Sequence, residues 1–232
     1  MNGLKLKNAV TGALVFLAVI AGTGSLYAGG QGAKSSASSA SQGSSAPTGW
    51  PQELVMCYLP NEATEEFAEY RSGIQNDLSA ALGIRVREIN AADYNAVVEA
   101  MRTGHADIAS FGPVTYVQAV ERAGVEAMVV VAPFGDKSQA GYTSKIIVKA
   151  GSPIKNLQDL RGKTFSFVDP ASTSGNYVPT LELMNAFGMT NEDFHTNGRF
   201  FSSVSFSGRH QNGLQAVING DVDAAPVASD IL

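Results

Sequence analysis

Apolar positions along the chain fall into short runs separated by stretches with helical spacing, and the two kinds alternate. Glu53–Leu59 (ELVMCYL) reads as a buried strand, followed by a helical stretch over Thr64–Leu82. Ile84–Ile89 alternates apolar and polar residues, as a strand does. Asp93 stands where the N-cap of a helix over Tyr94–Arg102 belongs, and Gly104 ends that helix. Asp107–Phe111 reads as a strand, Val114–Ala123 as a helix and Ala127–Pro133 as another apolar strand. The alternation then resumes with a strand at Lys145–Val148, a short helix at Leu157–Leu160 and a strand at Lys163–Val168. A helix from about Ser174 to Phe187, a strand at Phe200–Phe206, a helix at Gln211–Asn219 and a strand at Ala224–Val227 complete the series. This order predicts an α/β fold with mostly parallel sheets flanked by helices. About four strands fall in each half, so two lobes are expected rather than one continuous sheet. Gly141–Thr143 is the candidate hinge between them. No internal repeat is evident.

The N-terminal segment follows a different pattern. Lys5 and Lys7 precede an apolar run from Ala13 to Ala21, and small residues lead to Ala28. A basic start, a short apolar core and a small residue at the cut describe a secretory signal peptide over residues 1–28. A membrane anchor is the alternative. The run is shorter than the roughly 20 residues a span needs, however, and Gly22 and Gly24 interrupt it. No cysteine stands at the cut for lipid attachment. Residues 29–49 are almost wholly Gly, Ser, Ala and Gln and bury too little to order themselves, which makes them a flexible tether. The fold is expected to begin near Trp50, with lobe one over 50–141 and lobe two over 142–232.

Composition narrows the function. A formal charge of −5 argues against nucleic acid as a partner, because phosphate backbones select basic surfaces. The single Cys57 cannot form an intramolecular disulfide or a multi-cysteine metal site, and its apolar strand suits a buried small hydrophobe. His105 and His195 lack metal-ligand spacing and are expected at the surface. Arg161 and Lys163 are expected to be solvated. No metal or cofactor is anticipated.

The most informative segment is Asp169-Pro170-Ala171-Ser172-Thr173-Ser174-Gly175. It leaves an apolar strand and enters a helix, so three successive hydroxyls meet the unpaired N–H groups and positive dipole end of a helix start. That combination holds an oxyanion without a full cation. On residues alone, ordinary helix capping by one of the three remains an equal reading. Gly162-Lys163-Thr164 looks like the end of a nucleotide-binding loop, but Leu157 stands where that loop needs glycine and the segment enters a strand.

Several collinear stretches carry a family resemblance. They are DYNAVVEAMRTGHADIA (93–109), GYTSKIIV (141–148), LQDLRGKTFSF (157–167), DPASTSGNYVP (169–179) and HQNGLQAVINGDVDAA (210–225). Residues 54–232 resemble the phosphonate/phosphite/phosphate-binding proteins of ABC importers, a branch of the type II periplasmic binding proteins. The resemblance implies a two-lobed periplasmic-binding-protein fold with the ligand between the lobes. It implies that Ser172, Thr173 and Ser174 hold the phosphorus oxygens, that Tyr94 and Tyr142 close over the ligand, and that His210 donates to the oxyanion. Asp230 would face the other end of the ligand, at a position where family members often carry the longer Glu. The alternatives are a helix-face core position for Tyr94, a packing position at the hinge for Tyr142 and a solvated loop end for His210. Family members are usually longer and return to the first lobe after the second. The chain stops at Leu232, so lobe one is expected to be incomplete.

Three functions are compatible with these residues. The first is extracytoplasmic, periplasmic capture of a small phosphorus oxyanion by a monomer working near a membrane and delivering to an ABC permease. The second is a sensory domain that reports ligand occupancy to a membrane partner. The third, a serine hydrolase, needs a base and an orienting carboxylate, and the sequence has no G-x-S-x-G elbow.

Overall fold

A computed structural model describes residues 49–130 and 141–232 of the chain. The expected signal segment and all of the tether except Gly49 lie outside the described residues. No helix among those described is long and apolar enough to cross a membrane.

β1 (Glu53–Tyr58) is the centre of a three-stranded parallel sheet, with β2 (Arg85–Asn90) on one side and β3 (Ile108–Ala109) on the other. Side chains alternate across a strand, so β1 serves two cores. Met56 and Tyr58 pack with Val86 and with Leu78 of α1 (Ala68–Leu82). Cys57 packs with Val97 and Val98 of α2 (Tyr94–Arg102) and Ala119 of α3 (Pro113–Ala123). Helices therefore cover both faces, as a parallel sheet requires. Cys57 is the buried hydrophobe anticipated, and burial pushes its thiol up to about 11. Asp93 caps α2 by accepting from the Ala96 amide at 2.8 Å, and α3 starts on Gly112–Pro113.

The second sheet has the order β4-β7-β5-β6, formed by β4 (Ser144–Val148), β5 (Thr164–Phe167), β6 (Ser203–Phe206) and β7 (Ala224–Ala228). Phe165, Phe167, Phe194, Phe200 and Phe201 are fully buried on one side of it, together with Leu183 of α4 (Val178–Phe187). On the other side α6 (His210–Asn219) approaches β7 so closely that a Cβ on Gly213 would lie 3.6 Å from that of Ala225. Pro226 has no amide to donate and follows the point where the β5–β7 pairing, Phe165 with Ala224, has ended.

The sheets are mostly parallel, as expected, with one exception: β4 runs antiparallel to β7, Ser144 opposite Ala228. Three other details differ from the expectations. The apolar run Ala127–Pro133 is not a strand over 127–130, where Met128 and Val130 are exposed; its remainder lies outside the described residues. The first sheet accordingly has three strands among the described residues rather than about four. A short helix α5 (Asn191–His195) was not anticipated; Asp193 Oδ2 accepts from Thr190 N at 2.9 Å and from Thr190 Oγ1 at 2.6 Å around its first turn.

Candidate functional site

Between the ends of the two sheets lies a cavity of about 360 Å³, counting its open mouth. Ser172, Thr173, Ser174, Tyr94, Tyr142, His210 and Asp230 all line it. Residues from distant parts of the chain are thus brought around one space. Its floor lies beyond the C-terminal ends of parallel strands, where open α/β sheets hold ligands.

The 169–177 turn is held by its own hydrogen bonds. Asp169 accepts from the Ala171 amide at 2.8 Å and its carbonyl accepts from Ser172 N at 2.9 Å. Ser172 Oγ then accepts from Gly175 N at 3.0 Å, so it caps the π-helical turn Thr173–Tyr177 that leads into α4. The turn folds back onto β5 where Val168 N donates to the Gly175 carbonyl at 3.0 Å. A Cβ on Gly175 would sit 2.3 Å from that of Val168, so only glycine permits this approach. Capping and anion binding are therefore compatible readings of the three hydroxyls. Ser172 caps, while the amides of Thr173 and Ser174 occupy the start of the turn, where helices leave N–H groups without internal partners.

Contacts from the first sheet's helices hold the turn in place. Thr173 Oγ1 accepts from Val114 N at 2.9 Å, and Tyr94 N donates to Asp169 Oδ2 at 3.4 Å. Gly112 passes so near that a Cβ there would lie 3.4 Å from Thr173 Oγ1 and 3.7 Å from the Tyr142 hydroxyl. His195, expected at the surface, is half-buried instead. Its ring stacks on Phe167 with centroids 4.5 Å apart, and Nε2 lies 2.7 Å from Asn176 Oδ1. Asn176 in turn donates to the Pro170 carbonyl at 3.0 Å, so His195 braces the turn from behind. Arg161 is exposed but lies over the Phe200 ring, 4.7 Å from its centroid.

His210 is 3 % exposed and starts α6 against β7. Burial holds its imidazole down at about 4, with the Pro226 backbone acting in the opposite direction, so the ring is neutral at pH 7. The Ala228 amide donates to Nδ1 at 3.3 Å, and on that contact the ring proton is assigned to Nε2, 3.4 Å from Ser174 Oγ. In this tautomer His210 donates towards the cavity and has no lone pair there to deprotonate a serine. Nδ1 meets the Ala228 amide rather than the orienting carboxylate of a Ser-His-Asp arrangement.

Tyr94 and Tyr142 stay neutral, because burial raises both phenols above their ordinary value. Tyr94 is both a core residue and a lining residue; its hydroxyl donates to Asn61 Oδ1 at 2.9 Å. Tyr142 lies beside the strap in which Thr143 N donates to Ser229 Oγ at 3.0 Å. No Lys or Arg lines the cavity among the described residues. Asp230 stands at the rim, and its carboxyl is raised because neighbouring chain desolvates it.

Sequence reasoning missed Asn61, Glu62 and Gly112, which also line the cavity. Asn61 and Glu62 follow directly on the C-terminal end of the central parallel strand, and that position was the available signal. The resulting site is polar and neutral at one end, where hydroxyls, amides and an imidazole N–H converge. Carboxyl groups stand elsewhere on its wall. Such an arrangement suits a compact anion with several acceptor oxygens.

Comparison with known proteins agrees in extent and kind. Residues 56–232 match the family described as the periplasmic substrate-binding protein of a phosphonate ABC transporter. The chain is 33% identical over 178 residues to the phosphate-import protein PhnD of Mycolicibacterium smegmatis, covering 76% of this chain and 55% of that protein. It is 34% identical over 153 residues to the phosphonates-binding periplasmic protein of Escherichia coli, covering 64% of this chain and 42% of that one. Among solved structures, a binding protein component of an ABC phosphonate transporter from Pseudomonas aeruginosa superposes with a TM-score of 0.65 at 25% identity. That match covers 77% of this chain and 57% of the other. The chain thus spans about half the length of the curated relatives it matches.

Proposed function

Because the chain belongs to the family of periplasmic substrate-binding proteins of phosphonate ABC transporters, we propose that it captures a small phosphorus oxyanion, a phosphonate, phosphite or phosphate, and delivers it to an ABC permease. The observation that carries this reading is the convergence of the Ser172–Ser174 turn and His210 Nε2–H on one cavity that no described Lys or Arg lines. Each oxygen of a tetrahedral anion takes several directed hydrogen bonds, and neutral donors in a narrow cleft supply them without a fixed cation. Tyr94 and Tyr142 close over the ligand, and Asp230 faces its non-phosphorus end. Lobes 50–141 and 142–232 close about the Gly141–Thr143 segment, and the closed form docks on the permease. The protein is exported by its N-terminal signal and works as a monomer outside the cytoplasmic membrane, on the tether of residues 29–49.

The test is calorimetric titration with methylphosphonate, aminoethylphosphonate, phosphite, phosphate and sulfate. Binding of at least one phosphorus oxyanion, lost in Ser174→Ala and His210→Ala, is expected. Binding of sulfate with no phosphorus ligand would sink the assignment.

A further inference from the structure

Oxyanion capture leaves one lining residue, Glu62, without a role, and the role inferred for it rests on that capture. Glu62 is 6 % exposed, lines the cavity and has one side-chain oxygen, Oε2, with no hydrogen-bond partner. A buried carboxylate is ordinarily paired or heavily hydrogen-bonded. The nearby cation does not serve it. Arg71 spends Nη1 on the backbone carbonyls of Glu62 and Thr64, at 2.6 and 2.7 Å, and Nε on Glu88 at 3.1 Å. The Ser110 hydroxyl lies near and pulls the carboxyl down, yet Ser110 Oγ forms no hydrogen bond of normal geometry.

The surroundings add charge of both signs. Asp230, from the segment after β7, raises the Glu62 carboxyl, and Arg71 on α1 lowers it. Tyr58 on β1, Tyr70 on α1, Tyr94 on α2 and Tyr142 all feel its charge, and His210 across the cavity is neutral. Burial is the leading cause that brings Glu62 up to about 7, where it exchanges a proton readily at neutral pH.

An ionised Glu62 and a bound anion would repel across this small space. One proton between them turns the repulsion into a charge-assisted hydrogen bond. We propose that Glu62 determines specificity by sharing one proton with an oxygen of the bound anion, so that anions able to carry that proton near neutrality are admitted and those that cannot are refused. Phosphate, phosphite and phosphonates have a second ionisation near neutrality, about 6 for a phosphomonoester. Sulfate and sulfonates are fully ionised there. Above neutrality the free carboxylate, the ligand dianion and one solvent proton combine into a single Glu62–O–H–O–P bridge. No other bond forms or breaks.

The experiment is calorimetry of the purified chain with methylphosphonate at pH 8.5 in buffers of different ionisation enthalpy, alongside sulfate and methanesulfonate. The wild type is expected to take up close to one proton per ligand and to refuse both sulfur anions. Glu62→Gln supplies an amide donor that needs no proton. It is expected to lose the proton uptake and to bind sulfate at least tenfold more tightly than the wild type does. Wild-type binding without proton uptake overturns the proposal whether or not the variant folds. So does a Glu62→Gln protein that retains both the uptake and the sulfate rejection. Loss of uptake in Asp230→Asn but not in Glu62→Gln would move the proton to Asp230 and overturn the assignment. A wild type that binds no phosphorus oxyanion at all overturns the functional reading itself, which is a separate result.

Discussion

Replacing His210 tests the electrostatics of the cavity through the stability of the fold. The imidazole titrates at about 4 in the folded chain against an ordinary value of 6.5, because burial disfavours its charged form. Between those values the unfolded chain binds a proton that the folded chain refuses, so stability falls as the pH falls. The neutral ring's contribution is fully present above pH 6.5 and is lost progressively as the pH drops to about 4. At about 1.4 kcal/mol per pH unit, the gap is worth about 3 kcal/mol. His210→Asn removes the titration while keeping a side-chain donor. Urea unfolding followed by far-ultraviolet circular dichroism, run from pH 4 to pH 8 on both proteins, isolates the effect because other groups cancel in the difference. The wild-type advantage over the variant should shrink by about 3 kcal/mol from the top of that range to the bottom. Curves that stay parallel within about 0.5 kcal/mol would refute the reasoning, since they would mean that His210 charges as easily in the fold as out of it.

Glu62 should show the opposite slope. Its carboxyl sits near 7 instead of 4.5, so Glu62→Gln should gain about 3 kcal/mol relative to wild type as the pH rises from 4.5 to 7.5, read from the same unfolding curves. Gly175→Ala forces a Cβ to within 2.3 Å of Val168 and should cost at least 1–3 kcal/mol, or prevent folding, in thermal or urea unfolding; an unchanged midpoint would show that the turn can move aside. Ser172→Ala leaves the Gly175 amide uncapped and should cost about 1 kcal/mol of stability along with tenfold or more in methylphosphonate affinity by calorimetry. An affinity unchanged by Ser172→Ala would separate the cap from the binding donors.

Local signals explain what is legible in the sequence. The helix over Tyr94–Arg102 has the anticipated bounds because Asp93 and the apolar spacing act within a single element. The Ser172–Ser174 turn is visible because hydroxyls at a strand-to-helix junction are a short-range pattern. Tyr94, Tyr142, His210 and Asp230 are reached through family resemblance, and the chain brings all of them to the same cavity. Pairing direction is not legible. β4 lies antiparallel to β7 because Ser144 meets Ala228, a contact between distant residues that no local spacing encodes. The run after Ala127 has strand-like composition, but over 127–130 it finds no partner strand among the described residues. No local pattern in the sequence marks Glu62 as buried. Its burial comes from where the end of β1 meets Tyr94, Tyr142 and the segment around Asp230. The setting of His195 is hidden for the same reason, since Phe167 and Asn176 reach it only through the fold.

The acidic balance of the chain and the proposed anionic ligand are reconciled by how the cavity is charged. At an effective dielectric of about 20, a carboxylate about 4 Å from a unit negative charge repels it by about 4 kcal/mol. That is roughly a thousandfold in affinity. Neutral donors such as Ser174, Thr173 and the His210 N–H supply about 0.5–1.5 kcal/mol each, somewhat more to a charged acceptor, so a single ionised carboxyl on the wall would cancel several of them. Protonation removes that opposition at one site and leaves a donor behind. Burial has already brought Glu62 close to the point where this costs little at neutral pH. A lysine in the same place would attract every anion alike, sulfate included. A carboxyl that must be protonated first attracts those anions that arrive with a proton or can share one, so an acidic residue discriminates here where a basic one would not.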